Sequence, residues 1–296
     1  MIDVGLVGLD TSHAEAFAST LSDFGDMELN GIWDGGSVRE QAYVEDFCDT
    51  YNTCRYEDLD QMVDRVDAAM VLTVNWETHR PIAIRFLEEG VPTLVDKPLA
   101  GNRKDVDAIA EATEHAPLFG GSAVPFHPDF DDIPRGEDDR TMFAAGYNDF
   151  FYYRVHLTDT LRLLADADWA DVTPTAKPGT TVDIRFTNET HATLRFDGNS
   201  VGGSFSILDV GDRTRTIEIP AKKEALREMY GPYLETFRNV VYGERDTTDR
   251  ILDSAGLLLA IETALAKGQT VRPNDDAIDD LHVDGVAFLD QYDPYY

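Results

Sequence analysis

The sequence predicts a two-part α/β protein. An N-terminal doubly wound parallel sheet is followed by an α+β part whose sheet is mainly antiparallel. Three observations carry this prediction. Over the first 121 residues, short apolar runs alternate with amphipathic stretches. Between about 179 and 220 the apolar runs instead follow one another as hairpins. The chain of 296 residues is 43% hydrophobic, enough material for two packed cores of ordinary size. The division falls at 1–121 and 122–296.

The elements follow in order. Ile2–Val7 is a continuous apolar run, as expected of a strand buried on both faces. Ala14–Leu21 has helical spacing, Glu28–Trp33 is a second strand, and a helix follows near Arg39–Tyr51. A short strand near Cys54–Tyr56 and a helix near Leu59–Val63 come next. Ala68–Thr73 is again fully buried in type. His79–Glu89 is a helix that Gly90 stops. Thr93–Val95 is a strand, Asp105–Glu114 a helix and Leu118–Gly121 the last strand of this half. Such alternation implies a parallel sheet with right-handed crossovers.

After Gly121 the pattern changes. Residues 125–139 are rich in Pro and Asp and predict a loop. Arg154–Leu164 is a helix. Strands at 180–186, 191–197, 200–208 and 214–220 are expected as successive hairpins, turning at Asn188-Glu189 and Gly198-Asn199. Helices near Ala225–Val241, Thr248–Lys267 and Ala277–Gln291 close the chain.

Charge narrows the function. With 25 Lys+Arg against 56 Asp+Glu the net charge is −31. Nucleic-acid binding needs clustered cations, and an anionic membrane surface would repel this chain, so neither partner is expected. No apolar run reaches the length of a membrane helix. Only six of the cations are lysines. That balance is expected of a cytosolic protein from a salt-loving organism, where salt screens carboxylate repulsion. The opening MIDVGLVGLD has no basic stretch or cleavage site, and the two cysteines, Cys48 and Cys54, are expected as buried free thiols. Both point to the cytoplasm. No pair of histidines has zinc spacing, so no metal is expected.

The first strand ends in Gly8-Leu9-Asp10-Thr11-Ser12-His13, directly before a helix. This is where a Rossmann-type fold places its phosphate turn. Gly8 permits a tight exit, and the helix N-terminus with the Thr11 and Ser12 hydroxyls can hold a pyrophosphate. Asp10 and His13 stand where the fingerprint has its second and third glycines. The Asp10 carboxylate either repels phosphate or turns inward as the helix N-cap. The second strand ends at Asp34, which is either a ribose-binding acid favouring NAD over NADP or an ordinary solvated carboxylate.

The fifth strand runs into Asp96-Lys97-Pro98-Leu99-Ala100. This segment is similar to the Glu-Lys-Pro motif of the Gfo/Idh/MocA oxidoreductases, the family of glucose–fructose oxidoreductase and inositol 2-dehydrogenase. The stretch Thr73–His79, the Glu-Glu-Gly-Val-Pro before the strand and the run from Leu234 to Arg272 resemble the same family. The resemblance implies a nicotinamide site contacted by Thr73, Asn75, His79 and Asp96, with Lys97 as a catalytic residue. It also implies an Asp-x-x-x-His element opening the second part. Here His156 falls on the histidine, Asp159 on a later acid, and Tyr152 on the missing aspartate. Homodimers or homotetramers are implied as well.

A lysine at the C-terminal edge of a parallel strand can polarise a reacting oxygen, and Asp96 can orient its ammonium. His156, whose ordinary pKa is near neutrality, is the expected general acid/base, with Tyr152 as its hydrogen-bond partner. The expected function is therefore an NAD-dependent oxidoreductase of a sugar, polyol or related hydroxy compound. The alternative, suggested by Asp10 and Tyr152, is a non-catalytic ligand- or partner-binding protein on the same fold.

Overall fold

A computed structural model describes residues 1–36, 38–175, 180–197 and 203–293. Its first sheet is built from β1 (Ile2–Val7), β2 (Met27–Trp33), β3 (Cys54–Arg55), β4 (Ala68–Val71), β5 (Thr93–Val95) and β6 (Leu118–Gly120). All pairings are parallel, in the order β3-β2-β1-β4-β5-β6. The crossovers carry α1 (Ser12–Leu21), α2 (Gln41–Tyr51), α3 (Leu59–Val63), α4 (His79–Glu88) and α5 (Arg103–Ala112). The apolar runs of β1 and β4 are buried, as strands covered on both faces must be. The strand order reverses between β1 and β4, and ligands of open α/β sheets bind at such a point.

The second sheet contains β7 (Thr141–Gly146), β8 (Trp169–Pro174), β9 (Thr180–Phe186), β10 (His191–Phe196), β11 (Ser204–Val210) and β12 (Thr214–Pro220). Its order is β12-β11-β7-β10-β9-β8. Two hairpins form as expected, β9–β10 and β11–β12. The hairpin expected between β10 and β11 does not form. The unanticipated strand β7 lies between them, parallel to β10 and antiparallel to β11. The Gly198-Asn199 turn lies outside the described residues. α6 (Arg154–Ala165) is buried along its whole length beneath this sheet, and α9 (Thr248–Lys267) packs on α6 and β8.

Two expected helices differ. The segment 225–241 is split into α7 (Lys223–Arg227) and α8 (Tyr230–Val241), because Pro232 is tolerated only in the opening turn of a helix. Residues 277–291 contain only a 3₁₀ turn at Asp276–Ile278 and the short α10 (Gly285–Leu289). Between them the backbone is claimed by other partners: Val283 N donates to Gly101 O at 2.9 Å, and Trp76 Nε1 donates to Val283 O at 2.7 Å. Asp284 then caps α10 by accepting from Val286 N and Ala287 N. The cysteines are free, but Cys48, on α2, is half-buried, and Cys54 is exposed because β3 is an edge strand. No helix among the described residues is long and apolar enough to cross a membrane.

Candidate active site

The turn after β1 is held open by Gly8, whose φ is +86°. A Cβ there would lie 2.7 Å from Thr73 Cγ2, so only glycine fits. Beyond it, Leu9 N donates to Asp34 Oδ1 at 3.1 Å and Gly36 N donates to Asp34 Oδ2 at 2.9 Å. Asp34 is thus buried at the tip of β2, not a solvated surface acid. Arg39, from the loop before α2, donates to Leu9 O at 3.0 Å.

Asp10 does not cap α1. Thr11 does, its hydroxyl accepting from His13 N at 3.3 Å. The Asp10 carboxylate turns inward and accepts from Val74 N at 2.9 Å. Burial, with the nearby Asp34 charge adding to it, pushes its pKa up to about 6.

The loop after β5 brings the lysine in. Lys97 is buried, with Nζ 3.0 Å from the centroid of the Tyr152 ring and 5.2 Å from that of Tyr153. Nζ also donates to Tyr152 O at 3.4 Å. Desolvation lowers the lysine pKa to about 7, against the upward pull of Asp96 and Asp149. Asp96 was expected to orient this ammonium, but its oxygens are engaged elsewhere. Oδ1 accepts from Lys97 N at 2.8 Å and Oδ2 lies 2.8 Å from His13 Nδ1.

His156 enters from the first turn of α6. Its Nδ1 is 2.8 Å from Ser122 Oγ, a residue sequence reasoning did not single out. Ser122 holds the place expected for Tyr152, whose ring faces Lys97 instead. Burial first, then the charges of Lys97 and His13, lower the His156 pKa well below its ordinary value. Asp159, expected to be catalytic, is fully buried beneath this pair. It accepts from Ser122 N at 2.9 Å and pairs with Arg250 at 2.6 Å, so it positions Ser122 from behind.

These groups share one cleft of about 930 Å³. Thr11, Ser12, His13, Lys97, Tyr152 and His156 line it, between walls that include Phe205 and Tyr230. Gly8, Asp10, Asp34, Thr73, Asn75, His79, Asp96 and Asp159 are not part of its lining. His79 is completely buried, with Nε2 2.8 Å from Thr73 O and Nδ1 3.1 Å from Pro98 O. It ties the loop after β4 to the loop after β5 and is not placed to touch a cofactor. Thr73 and Asn75 act in the same loop: Thr73 Oγ1 meets Thr78 Oγ1 at 2.7 Å, and Asn75 Oδ1 accepts from Glu77 N at 3.1 Å.

A parallel sheet with a glycine turn, a helix N-terminus and a titratable cleft at its switch point defines a protein of the dinucleotide-binding fold class. Residues 2–119 match the Gfo/Idh/MocA family, described as an oxidoreductase family with an NAD-binding Rossmann fold. Over those residues the first sheet and its helices are similar to that family's NAD-binding Rossmann fold. No curated protein matches the chain by sequence. Among solved structures the chain is similar to a myo-inositol dehydrogenase from Corynebacterium glutamicum, at 16% identity and a TM-score of 0.77, covering 93% of this chain and 99% of that one. It is also similar to GenD2 from gentamicin A biosynthesis in complex with NAD, at 17% identity and a TM-score of 0.75, covering 93% and 97%. A scyllo-inositol dehydrogenase from Lactobacillus casei gives 15% identity and a TM-score of 0.74, covering 93% and 99%. At such identities the likeness shows the fold alone.

The residues present fit a dinucleotide. Gly8 keeps the turn open, Thr11 and Ser12 present the start of α1 to the cleft, and Asp34 stands at the β2 tip. The Asp10 carboxylate, which its sequence position sets against a phosphate, is engaged by Val74 N instead.

Proposed function

We propose that this protein is an NAD-dependent oxidoreductase acting on a hydroxyl carbon of a sugar, polyol or related compound. One observation carries the reading: Lys97 and His156, 59 positions apart in sequence, line a single cleft beside the N-terminus of α1. NAD+, when bound, accepts hydride from the substrate carbon. Gly8, Thr11 and Ser12 would hold its pyrophosphate and Asp34 its ribose, a carboxylate that disfavours the 2′-phosphate of NADP. Lys97 donates to the reacting oxygen and stabilises the negative charge that develops there. His156, neutral at physiological pH, hydrogen-bonds the same oxygen and orients it. In this reading residues 1–121 bind the dinucleotide and 122–296 shape the substrate side.

The exposed side chains Phe143, Leu208 and Val210 on the open face of the second sheet support a homodimer or homotetramer. The charge of −31 supports a protein that works in a salt-rich cytoplasm.

The test is oxidation of a panel of inositols, sugars and hydroxy acids with NAD+ in molar KCl, read by NADH absorbance, beside thermal stabilisation by NAD+. Turnover that Lys97→Ala abolishes while stabilisation persists is the expected result. Absence of any stabilisation at millimolar NAD+ or NADP+ would favour the non-catalytic reading. That reading is motivated by Asp10 and Tyr152, each of which replaces a residue that the chemistry usually favours.

A further inference from the structure

We propose that Asp96 and His13 form a second acid–base dyad of the cleft, and that His13 Nε2 is the group that receives the substrate proton. This deepens the functional reading above and rests on it.

The argument starts from where the two side chains come from. His13 is in the first turn of α1 and Asp96 follows β5, 83 residues later. They meet with Nδ1 2.8 Å from Oδ2. A carboxylate accepts and does not donate, so the Nδ1 nitrogen carries the hydrogen. The neutral ring then keeps its lone pair on Nε2. Among the described residues nothing hydrogen-bonds to Nε2, and His13 lines the cleft.

The ring is also fixed in orientation. Phe17 stacks on it at 5.1 Å with the planes 8° apart, and Tyr230 meets it edge-on at 5.7 Å. Asp96 is held in turn by the Lys97 backbone N–H. An imidazole backed by a buried carboxylate, with the opposite nitrogen open to a cleft, is the arrangement a general base requires.

His156 lacks those features. Its Nδ1 partner is a neutral hydroxyl, Ser122, which also accepts from Val124 N at 3.0 Å. Burial first, then the charge of Lys97, weakens it as a base. It is suited to orient the substrate hydroxyl as a neutral hydrogen-bonding group. The proton is balanced as follows: the substrate C–H leaves as hydride to NAD+, the O–H proton goes to His13 Nε2, and Asp96 stabilises the resulting imidazolium. The titratable groups in contact with His13 are Asp96 from the loop after β5 and Tyr230 from α8; Glu15 of α1, Lys97, Tyr152, Tyr153 and His156 of α6 line the same cleft.

Two measurements test this. In ligand-free protein, ¹⁵N–¹H correlation spectra of the histidine rings, assigned by His13→Asn, should show His13 with hydrogen on Nδ1. In Asp96→Asn that preference should be lost. A His13 ring carrying its hydrogen on Nε2 would overturn the dyad. The second measurement uses the polyol turned over fastest in the panel above. His13→Gly should lower kcat by about 10²- to 10⁴-fold, keep NAD+ stabilisation, and regain part of its rate with added imidazole. Wild-type kcat in His13→Gly, or a loss that imidazole does not restore, would refute the assignment. If the wild-type protein neither binds NAD+ nor oxidises any polyol, the functional reading fails, and the dyad stands or falls on the tautomer alone.

Discussion

Lys97 Nζ sits 3.0 Å above the Tyr152 ring, and Phe288 of α10 stacks on that ring at 4.6 Å. The lysine therefore meets an aromatic face that the C-terminal segment holds in place. A ring face favours the charged ammonium and opposes the desolvation that brings its pKa to about 7.

Replacing the ring should accordingly push the lysine further toward the neutral form. Tyr152→Leu is expected to move the alkaline limb of kcat/KM to lower pH by roughly 0.5–1.5 units, the equivalent of a cation–π contact. Tyr152→Phe keeps the ring and should keep the limb. A pH–rate profile of the two variants checks this, and Phe288→Ala should shift the limb in the same direction by a smaller amount.

The depressed lysine also sets a stability slope. Its folded pKa, about 7, lies below its ordinary value of 10.5. Between those limits the unfolded chain binds more protons, so this group makes stability rise as pH increases from about 7 toward 10.5. Lys97→Met should flatten that rise in urea titrations collected across the interval.

Asp10 gives the opposite slope at lower pH. Its pKa, raised from 3.8 to about 6, means that the folded chain holds the extra proton. Its contribution is greatest below pH 3.8 and is lost as pH climbs through about 6. Asp10→Asn should remove this loss, so that the variant gains on wild type between pH 4 and 6.5 in thermal melts.

Asp34 accepts from one backbone amide of the phosphate turn, Leu9 N, and from one of its own loop, Gly36 N, so its removal should have two effects. Asp34→Ser is expected to weaken NAD+ binding by freeing Leu9 N and Gly36 N, and to relax discrimination against NADP+. Asp34→Arg should move the preference toward NADP+ outright. Dissociation constants for both nucleotides decide the matter, and an unchanged ratio would count against the ribose assignment.

Arg250 pairs with Asp159, which is completely buried. Arg250→Ala leaves that carboxylate uncompensated and should cost about 3–5 kcal/mol in chemical unfolding. The double variant Arg250→Ala, Asp159→Asn should recover much of that loss. Because Asp159 also holds Ser122 N, kcat should fall in the single variant beyond what stability alone explains.

The parts of this molecule legible in the sequence are those whose cause is local. The apolar runs of β1 and β4, the Gly8 turn and the Asp96-Lys97-Pro98 segment each announce themselves within ten residues. Lys97 and His156, which the motifs single out, line one cleft. The contacts that complete the site are long-range. His13 meets Asp96 across 83 positions, and Ser122 meets His156 across 34. In both cases the residue type had been read for another purpose or passed over. His79 matches a motif position that implies a cofactor contact, yet it is fully buried with both nitrogens set against backbone carbonyls. The helix expected near Ala277–Gln291 failed for a related reason: Trp76 and Gly101 compete for the backbone of Val283.

The central place of β7 shapes how the second sheet assembles. Thr141 aligns with His191 on one side and with Val210 on the other, both far along the chain. Sequential zippering of neighbouring ribbons cannot produce this arrangement. The β9–β10 and β11–β12 ribbons can each form early, but they remain separate leaves until an earlier segment is clasped between them. Such distant pairing slows folding relative to a simple meander. Pulse-labelling hydrogen exchange should find the β7 amides acquiring protection after those of both ribbons.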